Sequence, residues 1–431
     1  MCNNIIKYLG RDCIKVFAAF IASLSIINAS AQDAFKIAAQ YRVRPEMRHG
    51  YKTLSADTSG AAFFIAQRAR LIFDYKKENL KAYISMQDVR TWGDEEQLKN
   101  IPGLSVNELW IELFFKNNFS LKMGRQELVY DDQRLLGNAD WNNAARSHDA
   151  LLLKYTNKEK KINWHIGGAF NQNGEPLFET SYTLNNYKFF AFTWLKKEFT
   201  KSSVSATAIV NGLNSVSTAS KSVKASFTFG PLYSYQDKNF KAILGGYYQT
   251  GKTESNLLLS AYMLNSYAEL HNKIFFGGGG VDYLSGNSDK TSLSHSQSFS
   301  TLYATNHKFY GYMDYFINIP SDTKQRGLID PYLRIGVTAV KNFKATLDIH
   351  HFYLANENNY AVNKIQKSLG TEFDFLTEYQ PSSLINLQAG YSMMFATKNM
   401  ELIKGGNSNN YNGWAFIMLK VSPTFFSHEL K

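Results

Sequence analysis

The sequence is nearly without cysteine. Two occur in 431 residues, Cys2 and Cys13, and both lie in the first 13 positions. No disulfide framework can therefore brace the rest of the chain, which must be held by a large core or by a closed sheet. Long apolar runs are also missing. Mean hydropathy is −0.30, and no stretch near 18 residues in the body of the chain is apolar, which excludes a multi-span helical membrane protein. Catalytic signatures are absent too: there is no G-x-S-x-G, no H-E-x-x-H and no dinucleotide-binding glycine fingerprint. Disorder is excluded from the other side, because 15% of the residues are aromatic. A large soluble β protein and a membrane β-barrel remain, since the alternating strands of a barrel escape hydropathy scans.

The N-terminus indicates export. Lys7, Arg11 and Lys15 precede a mostly apolar stretch from Val16 to Ile27, and Ala29-Ser30-Ala31 comes next as a small-residue cleavage signal. These three features predict a cleaved leader over 1–31 and a mature domain over 32–431. Asp12 stands before Cys13, where a lipoprotein leader needs a small residue, so lipid attachment is not expected. Loss of the leader removes three basic residues and one acid, taking the formal charge from +11 to +9.

Period-2 alternation governs the mature chain. Phe35, Ile37, Ala39, Tyr41, Val43, Pro45 and Met47 share one face, and Lys36, Gln40, Arg42, Arg44, Glu46 and Arg48 share the other. That is a β-strand. Residues 62–76 repeat the pattern with Arg68, Arg70 and Asp74 on one side. In a barrel wall each Arg or Lys on the lipid face costs about 2–4 kcal/mol at the midplane, so four would cost roughly ten. The basic faces must therefore line the lumen. Eight short turns are expected, at 77–78, 117–118, 157–160, 200–201, 236–238, 271–273, 341–342 and 380–383. Nine longer polar loops are expected near 49–61, 93–105, 129–146, 172–186, 213–220, 251–255, 286–327, 355–365 and 398–411. Seventeen connections make 18 strands, an even number with both termini at the short-turn end. The predicted fold is all-β, a transmembrane antiparallel up-and-down β-barrel with short periplasmic turns and longer extracellular loops. Trp164, Tyr187, Trp194, Tyr247, Tyr248, Tyr353, Tyr379, Tyr391 and Trp414 fall near strand ends and are candidates for interfacial girdles. Loop 286–327 is the longest and carries Phe299, Tyr303, His307, Tyr310, Tyr312 and Tyr315. It is the one expected to fold into the lumen, unless it forms an extra hairpin.

Isolated motifs carry little chemistry. Gly246 to Thr253 has phosphate-loop spacing, but it reads as a strand end and turn because no clear helix comes after it. His350 and His351 are adjacent on a strand and point to opposite faces, so they do not share a metal. Asp131-Asp132 and Glu95-Glu96 lack calcium-loop spacing. No cofactor, no metal and no enzymatic activity are expected. The basic excess does not read as nucleic-acid binding either, because the cations alternate inward on an exported chain.

Residues 124–155 are the most informative. Gly124-Arg125-Gln126, Tyr130, Asp132-Gln133-Arg134-Leu135, Asp140-Trp141-Asn142, Arg146 and Asp149-Ala150 occur in an order that resembles the alginate-export porin family of outer-membrane barrels. Asp131 and His148 stand where that family usually has a glycine and an aromatic residue. Asp282 to Gly286, Leu302-Tyr303 and Gly327 to Asp330 are also similar. The resemblance implies an 18-stranded monomeric barrel in the outer membrane of a Gram-negative bacterium. It also implies a pore constricted by inward charges and selective for anions.

An arginine-lined constriction for anionic solutes is the expectation that results. Its proposed ladder is Arg42, Arg44, Arg68, Arg70, Arg90, Arg125, Arg134 and Arg146, with Asp88, Glu108, Glu112, Asp149, Glu372 and Asp374 as acidic partners. Arginine suits carboxylates because its planar fork donates two parallel hydrogen bonds. Lumen charges act strongly because the low-dielectric wall focuses their field. Expected partners are outer-membrane lipid and an anionic polysaccharide or small anionic solute, with periplasmic export proteins if the cargo is a polymer. A general uptake porin for small carboxylates or sugars, and a plugged structural or adhesin barrel, are the alternatives.

Overall fold

The computed structural model describes residues 33–99, 101–178, 182, 187–215, 222–340, 342–359 and 364–430. The expected leader, both cysteines, Lys341 and parts of the loops at 172–186, 213–220 and 355–365 lie outside the described residues.

The chain forms β1 (Asp33–His49), β2 (Ala62–Lys77), β3 (Leu80–Thr91), β4 (Leu104–Phe114), β5 (Phe119–Gln126), β6 (His148–Asn157), β7 (Ile162–Phe170), β8 (Phe189–Glu198), β9 (Ser202–Asn214) and β10 (Val223–Gln236). It continues with β11 (Phe240–Lys252), β12 (Leu258–His271), β13 (Phe275–Leu284), β14 (His295–Ser296), β15 (Leu328–Val340), β16 (Phe343–Leu354), β17 (Ser368–Ser382), β18 (Ile385–Ala396), β19 (Gly413–Val421) and β20 (Thr424–Leu430). β14 is a two-residue strand inside the longest loop, paired in parallel with the start of β12. β19 and β20 are two arms of one wall strand, interrupted at Ser422-Pro423, where proline has no N–H to give to the ladder. The wall is thus a closed antiparallel barrel of 18 strands. β1 closes it, pairing with β2 on one side and with both arms on the other, as in Tyr41 opposite Val421 and Phe35 opposite His428.

Closure is what the hydrocarbon environment demands. Every backbone N–H and C=O in the band must be satisfied within the protein, and an open sheet edge would leave a row of them bare. The alternation read from the sequence sets the faces. Leu109, Ile111, Met123, Leu151, Ile166 and Leu195 stand exposed on the outer surface of β4–β8, while Trp110, Glu112, Leu152 and Trp194 beside them are buried inside. His350 and His351 separate as expected: His350 pairs with Asp330 inside, and His351 faces the other way, within hydrogen-bonding distance of Thr371.

The apolar core is not between sheets. It lies inside the barrel, where two loops, 127–147 and 285–327, turn into the lumen as a plug and pack against the inner wall. Phe299, Met313, Tyr315, Phe316 and Ile319 of the longer loop are fully buried, in one cluster with Met263, Leu328, Phe352 and Leu369 of the inner wall. The loops also pair with each other. Leu136 and Tyr303 form a parallel bridge, Gly137 N donates to Tyr303 O at 2.8 Å, and Tyr303 N donates to Leu135 O at 3.0 Å. The plug revises the girdle expectation. Trp164, Tyr248, Tyr379 and Tyr391 are exposed on the outside, but Tyr187, Trp194, Tyr247 and Trp414 are buried within. The two unusual positions have physical counterparts. Asp131 has φ of 50°, a conformation that glycine takes most easily. His148 stacks on Tyr187 and meets Phe190 and Tyr303 edge-on, as an aromatic residue would.

Candidate functional site

The inward faces of β1 and β2 carry the arginines. Arg42 lies directly opposite Arg68 in the ladder, and Arg70 lies opposite Gln87 of β3. Like charges so close need an anion between them. The loop 127–147 supplies it. Asp140 accepts from Arg68 at 2.7 Å and from Arg42 at 3.3 Å, and Arg70 stands 3.7 Å away. Burial by itself raises the Asp140 pKa, but Arg68 first, then Arg42 and Arg70, hold the carboxyl below its ordinary value. Arg42 also donates to Asn143 Oδ1 at 2.6 Å and to Asp140 O at 2.7 Å, Arg44 donates to Trp141 O at 2.9 Å, and Gln87 Nε2 donates to Ala144 O at 2.9 Å. Arg42, Arg44 and Arg68 are buried as a result. They hold the inward loop against the wall.

Above this anchor lies a cavity of about 390 Å³, lined by Arg44, Glu46, Arg48, Tyr51, Lys52, Trp141, Arg146, His307 and Asp314 among others. Four permanent cations face two acids there. Glu46 accepts from Arg44 and Arg48, each at 2.7 Å, and from Trp414 Nε1 at 3.0 Å. Asp314 is held by His307 at 2.6 Å and by the Tyr51 hydroxyl. Burial raises its pKa, but His307 and Tyr51 outweigh that and keep it low. Trp141 is sandwiched, with Arg44 at 3.9 Å over its ring and His307 stacked at 4.4 Å. Arg146 donates to Ala304 O at 2.9 Å and Gly137 O at 3.2 Å, and burial lowers its pKa. Arg48 and Lys52 are the freer cations, with Arg48 lying over the Tyr51 ring at 4.1 Å.

The opposite wall is acidic. Asp282, Asp330, Asp348, Glu372 and Asp374 are all buried on the inner faces of β13 and β15–β17. Arg134 reaches across from the plug to Asp282 at 2.5 Å while holding Asp132 at 2.8 Å. Glu372 and Asp374 do not meet any of the proposed arginines. They accept the backbone N–H groups of Met313 at 2.8 Å and Tyr312 at 3.2 Å, which pins the longer loop. Arg334 and Asp348 form a further pair at 2.5 Å.

Four proposed pore residues lie elsewhere. Arg90 and Asp88 pair at 2.6 Å on the outward face of β3, where Asp88 sits opposite outward Ala69 and Arg90 opposite outward Gln67. Arg125 and Asp149 pair at 3.3 Å, also outward, in register with exposed Leu109. Flanking His148 and Ala150 point in, so Asp149 must point out. All four sit at the long-loop ends of their strands, where the wall leaves the hydrocarbon and an outward charge is tolerated. Glu108 and Glu112 do face inward. Glu108 accepts from Trp110 Nε1 at 3.1 Å, and Glu112 from Lys154 at 2.8 Å and Ser120 at 2.6 Å. Sequence reading missed Arg48, Lys52, Lys122, Lys154, His307 and Arg334. The β1 pattern already put Arg48 on the inward face, whereas His307 depends on how the loop folds. Among the described residues no group of three or more His, Cys, Asp or Glu side chains is placed to hold a metal.

Comparison with known proteins points the same way. The model of the family described as alginate export matches residues 33–170. No curated protein matches the sequence. The fold is similar to Acinetobacter baumannii OccAB4, with a TM-score of 0.60 and 13% identity over 92% of this chain and 100% of that one. It is similar to Pseudomonas aeruginosa OpdL, with a TM-score of 0.62 and 11% identity over 91% and 99%. It is also similar to P. aeruginosa OccK2 (OpdF), solved in complex with glucuronate, with a TM-score of 0.58 and 13% identity over 91% and 98%. With the family match confined to residues 33–170 and a closed 18-strand wall among the described residues, the chain resembles the alginate-export family over its N-terminal third and shares the barrel fold of these structures.

Proposed function

We propose that this porin passes anionic solutes through the cation-lined cavity between β1, β2 and the two inward loops. The observation that carries the reading is the imbalance there: Arg44, Arg48, Lys52 and Arg146 against Glu46 and Asp314. In a low-dielectric channel that excess concentrates anions and repels cations. Arg48 and Lys52 offer donors to a carboxylate. Conduction needs weak, sequential contacts. The acidic partners supply the weakness, since they part-neutralise the arginines.

The plug favours small sugar acids and other small carboxylates over an extended polysaccharide. A cavity of about 390 Å³ matches a compact ligand, and threading a polymer requires both loops to leave the lumen. The test is single-channel reversal potential across a salt gradient for wild type and for Arg48→Ala with Lys52→Ala. Anion selectivity in the wild type, a fall in the variant, and block by millimolar glucuronate in the wild type alone are the expected results. A cation-selective or silent wild-type barrel would overturn the reading and leave the plugged structural barrel.

A further inference from the structure

On the other side of the plug lies a second cavity of about 330 Å³, between β9–β12 and the far face of loop 285–327. It shares no lining residue with the first. Its chemistry is different. Lys252 and Glu254 are its only charged lining residues; both are exposed residues at its mouth. The interior is hydroxyl and amide, with Ser226, Gln249, Ser296, Ser298 and Ser300, set beside leucines 213, 257, 259 and 302. The walls are fixed. Gln249 Nε2 donates to Thr228 at 2.9 Å and to Ser300 O at 2.8 Å, and its Oε1 accepts from Ser300 N at 2.9 Å, so the loop is riveted to β11. The Ser298 hydroxyl is buried there with no hydrogen-bond partner among the described residues.

We infer that this cavity is a binding site for an uncharged polyhydroxyl solute, a neutral saccharide, on a lane separate from the anion lane. Alternating hydroxyls and amides exchange hydrogen bonds with sugar hydroxyls in either direction, and the leucines receive the C–H faces of the ring. A carboxylate drawn into the interior would lose water with no net positive charge to replace it, since Lys252 at the mouth is offset by Glu254, so the site discriminates against the solutes that the first cavity concentrates. The neutral site does not rest on the anion lane, because the two cavities share no lining residue.

The experiment compares two cavity-filling variants, Leu259→Trp and Leu213→Trp, with Arg48→Ala/Lys52→Ala in proteoliposomes. Heat-modifiable migration on gels establishes that each barrel is folded. Swelling in sucrose measures the neutral lane, and single-channel conductance in potassium chloride measures the other. The tryptophan variants are expected to slow sucrose swelling about fivefold or more while chloride conductance changes less than about twofold. The cation variant should do the reverse. Sucrose swelling unchanged in both folded tryptophan variants would overturn the proposal. Loss of sucrose swelling and chloride conductance together would overturn it too, since that outcome means one shared lane.

Discussion

Replacing Asp140 with asparagine should open the channel. The carboxylate receives Arg68 at 2.7 Å and Arg42 at 3.3 Å, with Arg70 at 3.7 Å, and it joins the shorter loop to the wall. Breaking a buried pair from one side costs about 3–5 kcal/mol. This carboxylate is 45% exposed, so solvent screening lowers the figure to roughly 1–3 kcal/mol. At a factor of ten per 1.4 kcal/mol, the population with the loop released rises about 5- to 150-fold. The Arg42 and Arg44 bonds to Asn143 and Trp141 persist, so release is partial rather than complete. In single-channel recordings Asp140→Asn should spend more time in higher-conductance states. It should also be more anion-selective, because one negative charge has gone from a cluster of three arginines. The pH dependence has a definite sign. The folded carboxyl titrates below its ordinary value, so the tether is fully present above about pH 4 and is lost as pH falls through the depressed pKa. As the pH falls through that depressed pKa, wild type should therefore approach the variant, while the variant changes little over the same window. Equal conductance states and reversal potentials in the two proteins at neutral pH would refute the tether.

The same geometry fixes three further outcomes. Gly311→Ala should loosen the longer loop without weakening the wall: φ there is +77° and a Cβ would fall 2.5 Å from Glu372 Oε1, which holds Met313 N. The strain is about 1–2 kcal/mol, readable as faster amide exchange over 310–316, and unchanged protection there would count against it. Asp314→Asn removes the charged acceptor of His307 and the Tyr51 hydroxyl in a buried setting and should lower plug stability by about 3–5 kcal/mol; near-UV circular dichroism during denaturation is the check, and an unshifted aromatic transition would contradict it. Arg125→Ala with Asp149→Ala should leave reversal potential unchanged, because both side chains face outward. A shift in selectivity would mean that the β5 register places them in the lumen.

Much of the architecture is legible in the sequence because a barrel wall is a local code. Alternation decides in from out, turn residues decide where strands end, and the closed sheet needs no further partner. The seventeen connections inferred from polar breaks match those of the wall, and loop 286–327 stands apart by its length and aromatic content. Parity alone assigns Arg42, Arg44, Arg68 and Arg70 inward, and they are inward. Parity fails where a strand leaves the band. Asn107 is bulged between β3 and β4, and near such strand ends a family motif containing Arg125 says nothing about which face the side chain takes.

What the chain determines by itself is therefore the wall: its strand number, its faces and the sign of the charge along β1 and β2, all set by neighbours two residues apart. What only the tertiary structure decides is what those charges meet. Asp140 lies 98 positions from Arg42 and 72 from Arg68 along the chain, far beyond the reach of any local pattern. Glu372 finds the backbone of Met313 rather than an arginine, and Tyr187, Trp194 and Trp414 turn from membrane interface to plug core. These contacts exist because two loops fold back into the lumen. The energy that keeps them there comes from burying aromatic rings and compensating inward charges, both of which require the closed barrel to be present first.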